Sequence, residues 1–566
     1  MTMLCLLAAA ASAQDRVAAR ELVRVEGTRL MSGGRAFHVI GANVAVMHGR
    51  EQREPMRETL RAAASDGANV VRVWALGEYP EDAPGWARHF AFRIGEEGFV
   101  EESYAHLDAV IAEASQLGLR VILVLANRWG DYGGATQYLR WAGVPFADRT
   151  VPVLAMSAFW TCVGCERAYR AHAARLIGRT NTITGARYAE DPTILSWELI
   201  NEAEGAGRSG EEAVASWIDR NARFVREQGA RQLVSAGHIG YSRLRDRALW
   251  RRVCALESVS YCDSHAYPLG DPRVTSMARL ERWIDDRVHL AQHELGKPLL
   301  FGEVGVPANE RRVHGLPRAR WLDAFFGRAL DDGAAGALVW TYLPSAGAER
   351  QYAVWAHGAR ERSTRDLRSS IRRAAARARE REPRPSARLA RLRGPIFDAI
   401  ERARGSGELH RAWSQGILRI DPRRFRRASF EATGTWDGNP GPPHFFGAGA
   451  GRVDYRVGLP SQPFSRFTIR LRASSELPGY GVGAGPEDGS ELIVRWDGVE
   501  LGRVTLPPDD GLGGFVELAV DARLVANRRS SHALELEATS EGAGGVCLYS
   551  ITETGEPAGI ELRLEP

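Results

Sequence analysis

Between Phe37 and Trp340 the sequence alternates short runs rich in β-branched residues with longer segments of helical periodicity. This alternation indicates repeated βα units around a parallel sheet, because each helix covers neighbouring strands. Apolar residues recur at intervals of three and four in segments 55–65, 103–117, 211–227 and 318–330, as in amphipathic helices. The runs that predict strands are residues 37–43, 70–74, 120–126, 194–199, 233–236, 259–264, 298–301 and 336–340. Eight strands with intervening helices predict an α/β fold, a closed (β/α)8 TIM barrel.

The pattern changes near residue 408, where short alternating strands broken by Gly, Pro and Asp replace the helical segments. Segments 467–471, 491–496, 515–520 and 533–537 predict an all-β sandwich, similar to a jelly roll. A chain of 566 residues also exceeds what one hydrophobic core ordinarily serves. We therefore expect a barrel domain at 14–382, a linker containing Pro and Gly at 383–407, and a C-terminal β-sandwich at 408–566.

The charge balance excludes a partner held by bulk electrostatics. The formal net charge is only +4, although Lys and Arg together number 74. We therefore expect no nucleic-acid or membrane partner, and we expect a monomer. Residues 360–381 are rich in Arg, Ala and Glu, and this segment predicts an outer helix with one solvated face.

The N-terminal sequence predicts export. Residues 1–13, MTMLCLLAAAASA, combine a short apolar run with an Ala-Ser-Ala ending, which is typical of a cleaved signal peptide. Later segments lack the roughly 20 consecutive apolar residues that a membrane-spanning helix requires. We expect a secreted or periplasmic protein whose mature chain begins at Gln14.

The cysteines favour disulfides over a metal site. The spacing of Cys162 and Cys165 is compatible with zinc, but Cys254 and Cys262 are too far apart in sequence to form a second zinc knuckle. In an exported protein these four residues predict two local disulfides. Cys547 is then expected to be a buried thiol.

Polar and aromatic residues lie at the predicted carboxyl ends of the strands, where barrel side chains point into a common mouth. In strand order these residues are Arg72 and Trp74, Asn127 and Trp129, Asn201 and Glu202, His265 and Tyr267, Glu303, and Trp340.

Two glutamates in this set indicate a reaction. Glu202 and Glu303 follow the fourth and seventh strands and would face each other across the mouth. A pair of carboxyl groups can hydrolyse a glycosidic bond, because one protonates the leaving oxygen and the other stabilises the cationic centre. A separation of about 5 to 5.5 Å would indicate retention of configuration. A single Glu is more often a salt-bridge partner, but two glutamates at strand ends favour catalysis. This chemistry requires no metal or cofactor.

Four stretches resemble glycoside hydrolase family 5, specifically its endo-β-1,4-mannanase branch. In order they are 125–137 (LANRWGDYGGATQ), 179–202 (RTNTITGARYAEDPTILSWELINE), 263–268 (DSHAYP) and 297–305 (KPLLFGEVG). The resemblance extends from about residue 35 to 345, so the C-terminal domain lies outside it.

This resemblance implies roles for the ionisable residues. Glu202 would be the acid/base and therefore protonated, whereas Glu303 would be the ionised nucleophile. Arg72 would lie beneath Glu303 and favour its charged form, and Tyr267 would donate a hydrogen bond to it. His265 would orient Glu202 or the sugar. Alternatively, Arg72 closes the barrel floor and His265 belongs to the framework.

The resemblance also implies contacts with a sugar. Asn201 would meet the sugar 2-hydroxyl, and Trp340 and Trp129 would offer flat apolar faces to pyranose rings. Trp74 and Asn127, at the ends of the second and third strands, are expected to bind the substrate or to support the residues that do. For Trp129 and Trp74 the alternative is a buried core aromatic.

One departure from the family lies beside Glu202. The family usually continues Asn-Glu-Pro-Arg, whereas this chain has Asn201-Glu202-Ala203-Glu204. This reversal of charge is expected to alter the contacts with the leaving-group side of the substrate. The expected substrate is β-mannan or a related plant polysaccharide, cleaved internally, with another β-glycan as the alternative. A non-hydrolytic glycan-binding protein is the alternative from a different class.

Aromatic residues in the β-sandwich have two interpretations. They could form a platform on which sugars stack, or they could pack in the core of the domain. The residues concerned are Trp436, Phe445, Phe446, Tyr455 and Trp496.

Overall fold

A computed structural model of the chain contains the predicted eight-stranded parallel sheet. Its strands are β1 (Val39–Asn43), β2 (Val70–Trp74), β3 (Arg120–Val124), β4 (Ile194–Glu198), β5 (Leu233–Ser235), β6 (Cys262–Ala266), β7 (Leu299–Val304) and β8 (Gly336–Val339). The structure describes residues 21–49, 53–144, 158–204, 207–241, 244–268, 274, 276–307, 316–344, 352–355, 362–380, 386–391, 409–429, 432–436, 444–448, 451–460, 462–474, 490–507, 513–525, 531–538, 545–549 and 559–565. The proposed signal segment 1–13 lies outside this set.

The sheet closes into a barrel. Its strands pair in the order β5-β4-β3-β2-β1-β8-β7-β6, and β8 pairs with β1 in parallel. Two backbone hydrogen bonds join the remaining edges, from Ser260 N to Val234 O at 2.8 Å and from His265 N to Ile239 O at 3.2 Å. The (β/α)8 prediction is therefore confirmed, and all strand ends face one mouth.

Helices surround the barrel in the described part of the chain. They are α1 (Met56–Ser65), α2 (Glu101–Gln116), α3 (Gly134–Trp141), α4 (Val163–Ile177), α5 (Gly207–Glu227), α6 (Leu244–Cys254), α7 (Met277–Val288), α8 (Arg318–Asp331) and α9 (Arg362–Glu380). A π-helical turn, His289–Glu294, extends α7, and short 3-10 turns occur at Ala87–Phe90 and Leu389–Arg391. Apolar faces of these helices pack on the outer side of the sheet in one continuous core.

Small strands complete the barrel domain. The pairs Glu78–Tyr79 with Arg93–Ile94 and Tyr342–Leu343 with Val354–Trp355 follow β2 and β8. An N-terminal antiparallel sheet consists of Arg24–Glu26, Arg29–Ser32 and Arg35–Ala36. Its Leu30 packs with residues near the starts of the barrel strands, so this sheet covers the end opposite the mouth.

The C-terminal region forms two antiparallel sheets, as predicted. Its strands are β9 (Leu409–His410), β10 (Ile417–Ile420), β11 (Arg427–Ala428), β12 (Ala432–Trp436), β13 (His444–Ala448), β14 (Gly451–Val457), β15 (Arg466–Ser474), β16 (Ser490–Trp496), β17 (Val499–Leu506), β18 (Gly514–Asp521), β19 (His532–Ala538), β20 (Val546–Tyr549) and β21 (Ile560–Glu565). One sheet has the order β9-β14-β19-β16-β17, and β11 also pairs with β14. The other has the order β10-β21-β15-β20-β13-β12, and β18 also pairs with β15. The strands β14 and β9 pair in parallel, the exception to this antiparallel arrangement. A 3-10 turn, Ala522–Leu524, follows β18.

The aromatics of the β-sandwich lie mainly inside it. Phe445, Tyr455 and Trp496 are no more than 1% exposed and belong to the core between the sheets. They cannot form a sugar-stacking surface, so for these three residues the core interpretation is correct. Trp436 and Phe446 lie in β12 and β13, and their side chains are outside the described set.

One of the two predicted disulfides is present. Cys162 and Cys165 are bonded at the start of α4, whereas Cys254 and Cys262 are free and buried. The second prediction is wrong: Cys254 ends α6 and Cys262 begins β6, where their thiols form a hydrogen bond. Cys547 is a buried thiol, as predicted. In the described residues, helices long and apolar enough to cross a bilayer are absent.

Candidate active site

Arg72 lies at the centre of the mouth and is fully buried. It extends from β2, and its five N–H groups all have acceptors. Nε and Nη2 donate to the two carboxylate oxygens of Glu198 at 2.8 and 2.5 Å. Nη1 donates to Glu303 Oε1 at 2.7 Å and to Asn43 Oδ1 at 2.9 Å, and Nη2 also donates to Asn201 Oδ1 at 2.7 Å. A guanidinium with all its donors engaged fixes the positions of the side chains around it.

Glu303 lies in β7 and is 2% exposed. Its Oε1 accepts the bond from Arg72, and its Oε2 accepts a hydrogen bond from the hydroxyl of Tyr267. Burial raises the pKa of Glu303, while the positive charges of His265 and Arg72 oppose that rise. The contacts predicted for Arg72 and Tyr267 are therefore present.

Glu202 follows β4 in a left-handed backbone conformation, with φ of 58°. A non-glycine residue in this region is uncommon and strained, which makes it a marker of functional sites. Oε1 of Glu202 lies 2.9 Å from His265 Nδ1, and Oε2 accepts a hydrogen bond from Trp129 Nε1. The turn thus directs the carboxylate towards residues from β3 and β6.

His265 connects the two glutamates. Its Nδ1 lies 2.9 Å from Glu202 Oε1 and 3.4 Å from Glu303 Oε1. One atom from each of these three side chains lies within 4.8 Å of the other two. The two carboxylates therefore approach each other closely, as expected from their strands.

The charges in the site differ from the sequence-based expectation. Burial opposes a charge on His265, but the carboxylates of Glu303 and Glu202 outweigh it and raise the pKa of His265 to about 9. Burial also favours neutral Glu202, yet hydrogen bonding and charge from His265, with Arg128 and Trp129, lower the pKa of Glu202 to about 2. At neutral pH the proton expected on Glu202 therefore resides on His265, 2.9 Å away.

The two asparagines hold neighbouring strand ends together. Asn201 Nδ2 donates to Asn127 Oδ1 at 3.0 Å, and Asn127 Oδ1 also accepts from Trp129 N at 3.2 Å. Both asparagines are at least 97% buried. Asn127 thus supports Asn201 and Trp129.

The tryptophans occupy two sides of the mouth. Trp340 is partly exposed and lies 5.9 Å from Trp74, centroid to centroid. Trp74 is 6% exposed and also contacts the edge of Tyr132 at 5.8 Å. On the other side, partly exposed Trp129 contacts Glu202. Trp74 is therefore largely covered and supports Trp340, while Trp340 and Trp129 retain exposed surface.

Three buried residues of the site were missed in the sequence. Asn43 Nδ2 donates to Gly302 O at 2.9 Å and to Val339 O at 3.2 Å, which links β1, β7 and β8. Glu198 is the bidentate partner of Arg72. Burial, followed by the charge of Glu198, raises the pKa of Asp263 to about 7. A signal did exist, because a charged residue such as Glu198 is rare within an apolar strand unless it is paired.

Carboxylate and imidazole groups here have a geometry that a metal ion could use. Among the residues that the structure describes, two sets meet this description, Glu198 with Asp263 and His265, and Glu202 with His265 and Glu303. Arg72 already donates to three of the carboxylate oxygens of Glu198 and Glu303. A metal ion would compete with the guanidinium for these oxygens, so the arrangement is better suited to proton transfer and nucleophilic chemistry.

A (β/α)8 barrel with two closely spaced glutamates at the ends of β4 and β7 has the architecture of a glycoside hydrolase. The family model described as GH family 5 beta-mannosidase-like matches residues 20–368. The chain therefore belongs to glycoside hydrolase family 5, in its β-mannosidase-like group, and is a glycoside hydrolase.

Relatives with curated names agree with this family. A putative mannan endo-1,4-beta-mannosidase 5 of Oryza sativa subsp. japonica is 29% identical over 357 residues, covering 57% of this chain and 70% of that protein. Mannan endo-1,4-beta-mannosidase 3 of Arabidopsis thaliana is 25% identical over 343 residues, covering 56% of this chain and 80% of that protein.

Solved structures share the fold. The endo-1,4-beta-mannanase from Rhizomucor miehei aligns with a TM-score of 0.53 at 19% identity, covering 63% of this chain and all of that one. The endo-beta-1,4-mannanase from Thermotoga petrophila aligns with a TM-score of 0.51 at 20% identity, covering 88% of this chain and 99% of that one. At these identities the likeness concerns the fold alone.

Proposed function

We propose that the protein is a retaining endo-β-1,4-mannanase in which Glu303 is the nucleophile and Glu202 the acid/base. The observation that carries this proposal is the close approach of the two carboxylates, with an oxygen of each within 4.8 Å. Retaining enzymes hold these groups about 5 to 5.5 Å apart, whereas inverting enzymes need about 6.5 to 9.5 Å to admit a water. Mannan as the substrate is supported by the names of the relatives.

In the first step, Glu303 Oε attacks the anomeric carbon of the bound sugar while the glycosidic C–O bond breaks. Arg72 and Tyr267 donate to Glu303 and hold it in one orientation. The departing oxygen takes a proton from Glu202, and a glycosyl ester on Glu303 results.

The proton for this step is shared between His265 and Glu202. In the resting site it resides on His265, and the 2.9 Å contact allows transfer to Glu202 Oε1. This transfer leaves both side chains neutral. A bound sugar excludes water from the site, and the loss of water favours the neutral form of each group. In the second step Glu202 removes a proton from water, which attacks the anomeric carbon and releases Glu303.

Neighbouring side chains bind the sugar. Asn201 has one side-chain N–H beyond its bond to Asn127, and this group is available for the sugar 2-hydroxyl. Trp340 and Trp129 present partly exposed rings for pyranose faces. Trp74 and Asn127 support these residues from behind.

The remaining features of the protein complete the proposal. We propose that the catalytic domain begins at residue 14 and includes residues 386–391, which pack on the barrel. A linker and then the β-sandwich at 408–566 follow, with a structural or carbohydrate-binding role for the sandwich. The segment 1–13 supports secretion or periplasmic export. The proposal takes the protein to act on β-mannan as a monomer.

The test combines product analysis with substitution. The wild-type protein should release manno-oligosaccharides from β-1,4-mannan, and proton NMR should first detect the β-anomer at the new reducing end. Glu303→Ala and Glu202→Ala should each lower kcat at least about 100-fold, because each removes a group that acts in the transition state. Glu190→Ala, at an exposed glutamate paired with Arg187, is the matched control and should retain activity.

Three results would contradict the proposal. Initial appearance of the α-anomer would require inversion. Near wild-type turnover in either alanine variant would remove that glutamate from the mechanism. A substrate panel should contain mannan, glucan and glucomannan. If reducing sugar is released faster from glucan than from mannan, the preferred substrate is glucan and the mannan assignment is wrong.

A further inference from the structure

Arg128 and Glu204 form an ion pair beside Glu202. Arg128 Nη1 lies 2.5 Å from Glu204 Oε2, and the two side chains are 3% and 37% exposed. Arg128 follows Asn127 beyond β3, and Glu204 lies two residues after Glu202 beyond β4. The pair therefore connects the segments that leave two adjacent strands.

The backbones of these segments are joined as well. Arg128 N donates to Asn201 O at 3.1 Å, and Asn201 N donates to Ala126 O at 2.8 Å. Trp160 Nε1 donates to Glu204 O at 3.1 Å, which fixes the main chain beyond the left-handed turn at Glu202. Glu204 is therefore held in place from both its side chain and its backbone.

Arg128 also covers one face of Trp129. Its guanidinium carbon lies 3.7 Å from the ring centroid, a close cation–π contact. The indole N–H of the same ring donates to Glu202 Oε2. A continuous series of contacts thus runs from Glu204 through Arg128 and Trp129 to Glu202.

We propose that Arg128 and Glu204 are positioning residues that hold the Trp129 indole against Glu202 and so orient its carboxyl group for proton transfer. This inference rests on the proposed function and deepens it. The charge reversal at Glu204 is then matched by the arginine at position 128. Because Arg128 covers one face of Trp129, only the opposite face is available to a sugar on the leaving-group side.

Electrostatics agree with this geometry. Burial raises the pKa of Glu202, but His265 lowers it most, and Arg128 and Trp129 lower it further. Arg128 therefore acts on Glu202 both through the ring and through its own charge. A salt bridge that only stabilised the fold would not affect proton donation selectively.

The test uses two substrates that differ in their need for an acid. Mannohexaose has a poor leaving group, whereas 2,4-dinitrophenyl β-mannobioside loses its phenolate without protonation. In Arg128→Lys, which keeps the charge but loses the planar stacking group, kcat/KM for mannohexaose should fall roughly 10-fold or more. Glu204→Gln should act in the same direction. For the dinitrophenyl substrate, kcat/KM should remain within about threefold of wild type.

Two further readouts separate positioning from general damage. With mannohexaose the loss should occur in kcat, while KM stays within about twofold. Azide should raise kcat of the variants on the dinitrophenyl substrate, because this nucleophile needs no base from Glu202. Arg170→Lys is the matched control, since Arg170 also pairs with a glutamate, Glu166, and contacts an aromatic ring, Phe224.

Equal losses of kcat/KM on both substrates, or no loss on either, would overturn the inference. The exchange Arg128→Glu with Glu204→Arg keeps an ion pair but removes the cation from Trp129, so activity on mannohexaose should stay low. Full recovery in that double variant would show that charge pairing alone matters and would also overturn it. Failure of the wild-type protein to cleave mannohexaose would instead contradict the proposed function.

Discussion

At the scale of single residues, His265 controls where the proton of the site resides. Its ring is fully buried and lies between the carboxylates of Glu202 and Glu303, with Arg72 nearby. Two negative charges stabilise the imidazolium more than burial and Arg72 destabilise it, which raises the pKa of His265 to about 9. Because these groups are coupled, their titration describes the cluster rather than one side chain.

This pKa predicts a loss of stability at alkaline pH. The unfolded-state pKa of histidine is about 6.5, so the stabilisation from His265 is complete below that pH and disappears as the pH rises through about 9. The contribution is on the order of 3 kcal/mol. The pKa of Asp263 is raised to about 7, so this carboxyl group is mostly ionised before the pH approaches 9, where His265 loses its proton.

The measurement is the free energy of unfolding in urea between about pH 7.5 and 10, compared with His265→Asn. Unfolded thiols and tyrosines also ionise at high pH in both proteins, so only the difference between them reports on His265. The wild-type curve should fall more steeply. Parallel curves would show that His265 is neutral in the folded protein.

The sequence predicted the residues of the site that lie in recognisable motifs better than those whose role depends on the packing of several strands. Glu202, Glu303 and Tyr267 lie in motifs that are recognisable in the sequence alone. Asn43 and Glu198 are the last residues of β1 and β4, but the motifs indicate no role for them, because their role depends on which strands surround Arg72. The order of protonation was also missed, because it depends on distances of a few ångströms.

At the scale of elements, helix α9 is attached to the barrel by a buried carboxylate. Asp66 is fully buried just after α1 and accepts hydrogen bonds from Tyr342 Oη at 2.7 Å and Arg368 Nε at 2.6 Å. Arg372 also donates to it. The Arg-rich segment thus has a solvated face, as predicted, and a second face that uses its arginines for attachment.

Asp66→Asn should therefore loosen this helix. The substitution keeps the shape but removes the charge that balances two arginines, and we expect roughly 3 kcal/mol of destabilisation. Hydrogen exchange should show faster exchange of amides in Arg362–Glu380 than in the barrel strands. Asp323→Asn, whose partner Arg373 is 57% exposed, should cost less than about 1 kcal/mol. Equal effects of the two substitutions would contradict a special role for Asp66.

The boundaries of helices and strands were predictable where the spacing of apolar residues determines them, and less so where a side-chain contact does. The strand predicted at 259–264 is displaced to Cys262–Ala266, because Val259 O instead accepts a hydrogen bond from the side chain of Lys297. Proximity of Cys254 and Cys262 was inferred correctly from sequence, but proximity alone does not determine oxidation.

At the scale of the whole molecule, the described residues form separate hydrophobic cores in the two domains. The barrel core extends to Leu389, and the sandwich core starts at Leu418. Residues 386–391 lie within the segment predicted as linker, yet they pack on the barrel. Leu389 is fully buried, and Arg388 pairs with Asp285 at 2.8 Å and Asp332 at 3.1 Å.

This packing predicts where the catalytic domain can be shortened. A chain that ends at residue 391 should fold and cleave mannohexaose at the full-length rate, because it keeps the whole barrel core. A chain that ends at residue 382 loses Leu389 and the charge of Arg388. Burying one leucine side chain is worth about 1.5 to 3 kcal/mol. Asp285 and Asp332 each keep Arg328 as a partner but lose Arg388, which adds to the loss. Urea unfolding of both chains should show this difference, and Leu389→Ala in the full chain should reproduce about 2 kcal/mol or more of it. Equal stability of the two truncated chains would place the end of the barrel domain at α9.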